Sequence, residues 1–122
     1  MALGLVVGNL QAVWSSPEMA VPKKDPFRLG SDYAAVNDQV EKSPGVMPNQ
    51  ESDMSDLLTA RCFGKLDLLQ RYWHMRLAEE AQEIFTITTP FGMFTPKSVP
   101  QGVLNATLYF QGVMMDLSLI HI

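Results

Sequence analysis

Residues 63–73 read FGKLDLLQRYW, and a single acid, Asp67, stands in this run between Lys65-Leu66 and Leu68-Leu69. A carboxylate buried among leucines without a partner either destabilises the fold by several kcal/mol or is forced to keep its proton. Two readings follow: an exposed helix on which Asp67 is a surface acid, or a strand that aims Asp67 at something cationic. Over residues 61–69, Cys62, Leu66 and Leu68 share one parity while Phe63, Lys65 and Asp67 share the other, which predicts a strand. On that strand Leu66 and Leu68 anchor one face in the core and Asp67 leaves from the opposite face. Its position makes sense if that face lines a site.

Upstream, SPGVMPN at 43–49 is a loop, and a helix is predicted over about residues 50–59. Asn49 is its N-cap, Glu51 and Asp53 sit in its first turn, and Met54, Leu57 and Leu58 form its apolar face. Downstream, Trp73, Met75 and Leu77 alternate with His74 and Arg76, predicting a further strand, and AEEAQE is a short exposed helix or turn. IFTITTPFGMFTP at 84–96 predicts a hairpin bending near Pro90 to Gly92. VPQG breaks the chain before a last helix capped by Asn105, with Phe110, Val113, Met114 and Leu117 on its buried face. Near the N-terminus, EMAVPKK and FRLGSDY flank the turn signal Asp25-Pro26 and predict a two-stranded ribbon over about residues 19–33. Lys23, Lys24 and Arg28 lie near its tip, where a solvated edge guarded against aggregation is the simpler reading. Residues 1–12 have no clear period and are predicted to be an irregular lead-in.

Composition limits the functional classes. The 122 residues suit one small domain, and 47% hydrophobic with 18% charged residues is the balance of a chain that folds. One cysteine, Cys62, excludes an intrachain disulfide, and with only His74 and His121 beside it no zinc-type cluster assembles. The net charge of -4 argues against holding nucleic acid by bulk electrostatics alone. The apolar run LGLVVG lacks a basic flank and a cleavage site, so a secretory signal is not expected, and no stretch approaches transmembrane length.

Five motifs in order carry a resemblance: VPKKD at 21–25, then Phe27-Arg28 followed by DYxxxN at 32–37, KLDLxxxYW at 65–73, LAEEAQEIFTITTPFGMFTP at 77–96, and VPQGVLNATLYFQ at 99–111. Together they resemble the reverse transcriptase of Ty3/gypsy-type LTR retrotransposons over about residues 13–117, leaving the tail 118–122 unrelated. The resemblance implies an α+β fold, the fingers and first part of the palm of a right-hand polymerase, and an RNA-directed DNA polymerase activity that uses two magnesium ions. It implies that Asp67 is a catalytic metal ligand, with the adjacent carbonyl of Leu68 as a second oxygen. It implies that Lys23 and Arg28 grip the triphosphate, that Tyr72 is the floor under the incoming sugar, and that Gln101 rests against the nucleotide. Asp32 and Tyr33 match the family's DY pair, where a structural role weighs at least as much.

The partners implied are an RNA or DNA primer-template, deoxynucleotides and the remainder of a polyprotein, with no membrane, and a cytoplasmic or virus-like-particle location if the element is expressed. The family's further aspartates, in a Tyr-x-Asp-Asp turn, are absent from these residues, so the chain by itself is expected to be inactive. Arg71 stands where the family usually has Gly, and Ala34, Gly30-Ser31 and Gly45-Val46 also depart from its pattern. These departures suggest a decayed or truncated copy of an element. The alternative is a non-catalytic nucleic-acid or protein interaction module derived from one.

Overall fold

The computed structural model describes residues 4–22 and 28–121, and of residues 28, 29, 56 and 118–121 the backbone alone. Among the described residues five strands make one sheet: β1 (Val6–Gly8), β2 (Ser16–Val21), β3 (Arg28–Ser31), β4 (Ile87–Thr89) and β5 (Gly92–Pro96), in the order β1-β5-β4-β2-β3. The expected ribbon is β2 antiparallel to β3, with Val21 opposite Arg28 and Glu18 opposite Ser31. The expected hairpin is β4 with β5, Thr89 opposite Gly92. Pro90 presets the first turn position, Phe91 N–H donates to Thr89 Oγ1 at 3.1 Å, and Gly92 takes φ +128°, which a side chain would resist. A parallel pairing, Ser16 with Ile87, joins ribbon to hairpin. The lead-in carries more order than its lack of period predicts, because β1 pairs with β5 from Val6 opposite Pro96.

Among the described residues four α-helices accompany the sheet: α1 (Ala34–Asn37), α2 (Gln50–Leu57), α3 (Glu79–Gln82) and α4 (Ala106–His121). α2 begins as expected, since the Asn49 side chain accepts from Glu51 N–H at 3.0 Å. α4 runs through the tail as far as His121, so the backbone of residues 118–121 continues a helix. The Asn105 side chain, expected as the cap of α4, accepts from Ser43 N–H at 3.0 Å and donates to Glu41 O at 2.8 Å, fastening the 41–43 loop to the head of α4.

The core is small and lies in two clusters. Tyr72, Met75, Val99 and Ala106 form one, and Tyr33, Val36 and Phe85 the other, with Leu77 and Val103 packed against both. Between sheet and turn runs a chain of hydroxyls. Thr86, 0% exposed, donates to Glu83 O at 2.7 Å, so its oxygen accepts from Thr95 at 2.7 Å, and Thr95 in turn accepts from Asn9 Nδ2 at 3.2 Å. Each of the two threonine hydroxyls is thereby used once as donor and once as acceptor.

Two predicted strands are absent. Residues 62–68 have no regular structure and 61–70 are exposed throughout, with Leu66 94% accessible rather than anchored. Parity alone does not make a strand; it needs a neighbouring ladder, and no described strand pairs with this run. The second absent strand is 73–77. Arg71–His74 is instead a 3₁₀ turn, entered through Gln70 in the left-handed region at φ 50° and tied by His74 Nε2 to Leu69 O at 3.0 Å. Its three-residue period puts Tyr72 and Met75 on one face, and both are buried. A single bridge, Arg76 with Ser98, is what remains of strand pairing here.

The surface is large for the mass. The chain exposes 10054 Å² at 13.6 kDa, where a compact monomer of that mass exposes about 6,600 Å². The excess includes Leu57, Leu58, Phe63, Leu66, Leu68 and Leu69 along one segment, and Tyr109, Met115 and Leu117 on α4.

Candidate active site

A cleft of about 720 Å³ opens between the sheet and two loops. β2 and β3 contribute Glu18, Gly30 and Ser31 to it; the exposed run after residue 66 brings Asp67, Leu68, Gln70, Arg71 and Trp73; the break before α4 brings Pro100 and Gln101. Four residues singled out from the sequence, Asp67, Leu68, Arg71 and Gln101, therefore meet at one place although about thirty positions separate the two loops. Glu18 and Trp73 join them without having been expected. Glu18 had no signal beyond its alternation on β2.

Tyr33 forms part of the wall and is 2% exposed. Its hydroxyl donates to Phe85 O at 2.9 Å and its ring meets Phe85 edge-on at 5.5 Å. Burial pushes its phenol up to about 12, opposed by a hydrogen bond with Ser31, so it stands in the wall as a neutral strut. Asp32 accepts from Ala34 N–H at 3.0 Å and its own N–H donates to Pro17 O at 3.0 Å. The DY pair thus joins ribbon, α1 and core, the structural role weighed for it.

Tyr72 does not line the cleft. It sits in the core cluster below Arg71, its ring edge-on to Phe110 at 5.9 Å and its hydroxyl 3.1 Å from Thr107 Oγ1. Arg71 is turned onto this pair: its guanidinium lies 4.7 Å from the centre of the Tyr72 ring and 5.4 Å from that of Phe110, and donates to Tyr72 Oη at 2.8 Å. Because the phenol oxygen accepts from Arg71, its proton is free to go to Thr107. The cation is held over the head of α4 rather than standing unsupported in the cleft. Of the two residues expected to grip a triphosphate, Lys23 lies outside the described residues, and Arg28 is described by backbone alone, opposite Val21.

The donors suit a hard cation in kind, since a carboxylate from Asp67 and a carbonyl from Leu68 are both oxygen. They do not make up a two-ion set, and among the described residues no group of three His, Cys, Asp or Glu side chains is placed to hold a metal.

An RNA-directed DNA polymerase homolog from Oenothera berteroana is 31% identical over 88 residues, covering 72% of this chain and 62% of that protein. The enzymatic polyprotein of Figwort mosaic virus is 28% identical over 114 residues, 89% of this chain and 17% of the polyprotein. A solved structure of the foamy viral protease-reverse transcriptase in complex with dsDNA superposes with a TM-score of 0.74 at 28% identity, over 93% of this chain and 24% of that one. The fold is that of a reverse transcriptase. No family model matches the chain. It aligns with the polymerase region of retroelement polyproteins, spanning less than two thirds of each of these relatives. In this reverse-transcriptase fold the cleft lies where ribbon, Asp67 loop and Gln101 loop converge.

Proposed function

We propose that residues 13–117 form the fingers and first part of the palm of an RNA-directed DNA polymerase from a Ty3/gypsy-type LTR retrotransposon, and that the cleft receives a deoxynucleoside triphosphate. The observation that carries this reading is the convergence of Asp67, Leu68 and Gln101 on one cleft from two separate loops. Gln101 rests against the nucleotide, Lys23 and Arg28 meet its phosphates from the ribbon, and Tyr72 backs the sugar from beneath through the turn that Arg71 covers. Charge-assisted contacts of Lys and Arg suit a polyanion. Magnesium, when bound, supplies neutralisation of the phosphates and activation of a primer hydroxyl. Asp67 and Leu68 would hold one side of that charge, and carboxylates from a further segment must complete it. Primer-template and deoxynucleotides are the ligands of the completed enzyme. The remainder of the polyprotein is the partner that the exposed apolar run at residues 57–69 fits.

The test is primer extension on an RNA template with magnesium and four deoxynucleotides, by the chain alone and by the chain joined to a Tyr-x-Asp-Asp segment of a related element. The chain alone should extend nothing. The joined protein should, and Asp67→Asn should abolish its activity while changing stability by no more than about 0.5 kcal/mol, as expected for an exposed acid. Extension by the chain alone, or by the joined Asp67→Asn variant, would overturn the assignment.

A further inference from the structure

DYxxxN ends in a residue to which neither the pocket nor the fold has yet given a task, Asn37. Its side chain makes two bonds to a single loop. Nδ2 donates to Gly102 O at 2.8 Å and Oδ1 accepts from Leu104 N–H at 3.0 Å. A carboxamide offers a donor and an acceptor side by side in one plane, which is what this double contact uses. The loop it grips has no regular structure of its own, and within it Val103 O accepts from Ala106 N–H at 3.1 Å at the head of α4.

Gly102 takes φ +95°, and a Cβ there would lie 3.6 Å from Tyr33 Cδ2 and 3.7 Å from Ser31 O. The loop is thus pressed against the ribbon at Gly102, clamped by Asn37 on either side of Val103, and fastened beyond by Asn105 to residues 41 and 43. Gln101 is the residue immediately before the clamp, at the cleft.

We propose that Asn37 is a positioning residue for Gln101: from the end of α1 it fixes the peptide that follows Gln101, and so sets the height and direction at which Gln101 enters the cleft. This rests on reading the cleft as a nucleotide site, and its consequence is that Asn37 governs nucleotide affinity without touching nucleotide.

The test uses the full chain, labelled with ¹⁵N, as wild type, Asn37→Leu, Asn37→Asp and Gln101→Ala. In Asn37→Leu, exchange of the Leu104 amide should accelerate about tenfold, the factor expected for one lost hydrogen bond, and the Gln101 side-chain amide signals should move to their random-coil positions. The buried Thr86 amide should not change. Asn37→Asp keeps the acceptor for Leu104 and loses the donor to Gly102, so it should protect Leu104 and restore Gln101 in part. Binding of dATP with magnesium is read from Trp73 emission in a Trp14→Phe background. Asn37→Leu and Gln101→Ala should each weaken it to a similar degree, and the double variant no further.

Gln101 signals that stay in place while Leu104 exchange rises, or losses of affinity that add, would overturn the proposal. So would loss of the fold in both Asn37 variants, which would make Asn37 a folding residue. If the wild type binds no dATP, the nucleotide reading of the cleft fails, and the Gln101 signals still decide whether Asn37 positions that residue.

Discussion

Replacing Arg71 by Gly removes the largest departure from the reverse-transcriptase pattern, and the structure sets the expected magnitude. The guanidinium stacks on Tyr72 at 4.7 Å and Phe110 at 5.4 Å, contacts worth about 0.5–1 kcal/mol each at an exposed site. Its hydrogen bond to Tyr72 Oη contributes about 1 kcal/mol, part of which survives because the phenol keeps Thr107. Glycine in the 3₁₀ turn adds a backbone cost of about 0.5–1 kcal/mol. Arg71→Gly should therefore destabilise the chain by about 2–3.5 kcal/mol, or roughly 6–20 °C in Tm for a chain of this length. Arg71→Lys retains a cation over the rings but loses the planar fork, and should lie near the midpoint. Urea unfolding followed by far-UV circular dichroism gives these differences, and a double-mutant cycle with Tyr72→Phe isolates the hydroxyl contact, expected at about 1 kcal/mol. Arg71→Gly within about 0.5 kcal/mol of wild type, or a cycle with no coupling, would show that the guanidinium does not hold this turn. In the protein joined to a Tyr-x-Asp-Asp segment, the same replacement should raise primer extension if the cleft is the proposed nucleotide site, because a cation lining it is gone.

Thr86→Val keeps the volume and removes the centre of the hydroxyl chain, stranding the Thr95 proton in a buried site; a loss of about 1–3 kcal/mol is expected in the same urea experiment. Tyr33 gives a pH dependence. Its folded-state phenol lies near 12 against an ordinary 10.0, so the unfolded chain releases this proton first; the associated stability is complete below about pH 10 and declines as pH rises toward 12. Stability measured at about pH 9 and pH 11 should fall more steeply for wild type than for Tyr33→Phe, and equal slopes would refute the burial argument.

Local signals carried the elements that close on themselves. The β4–β5 hairpin needs Pro90 and Gly92, the α2 start needs Asn49, and the β2–β3 ribbon needs an alternating pair around a turn; each is written within about fifteen residues. What failed was what depends on distant partners. Residues 61–69 have a strand's parity but no ladder to join, and Met75, assigned to a strand, is 6% exposed because a left-handed Gln70 converts the run into a 3₁₀ turn. β1 was missed for the converse reason: three residues with no period become a strand when β5 is beside them. In the candidate site, Asp67, Leu68 and Gln101 were legible through the ordered motifs, and the cleft brings them together. Tyr72 was legible as a residue but not in its burial, and Asn37 was quoted within DYxxxN while its grip on the Gln101 loop depends on a contact 65 positions away.

The parallel joint between β2 and β4 also sets a timetable. Ser16 pairs with Ile87, and Asn9 reaches Thr95 across 86 positions, so the sheet cannot be completed until the hairpin has left the ribosome. At about 5–20 residues per second the β2–β3 ribbon waits several seconds with its partner edge bare. Long-range pairing of this kind slows folding, because loop closure must precede the contacts that reward it. During that interval the exposed leucines at residues 57–69 are synthesised next to an unpaired strand edge. The chain's most vulnerable moment is therefore during its synthesis, and a chaperone that masks strand edges should raise its soluble yield more than a lower growth temperature does.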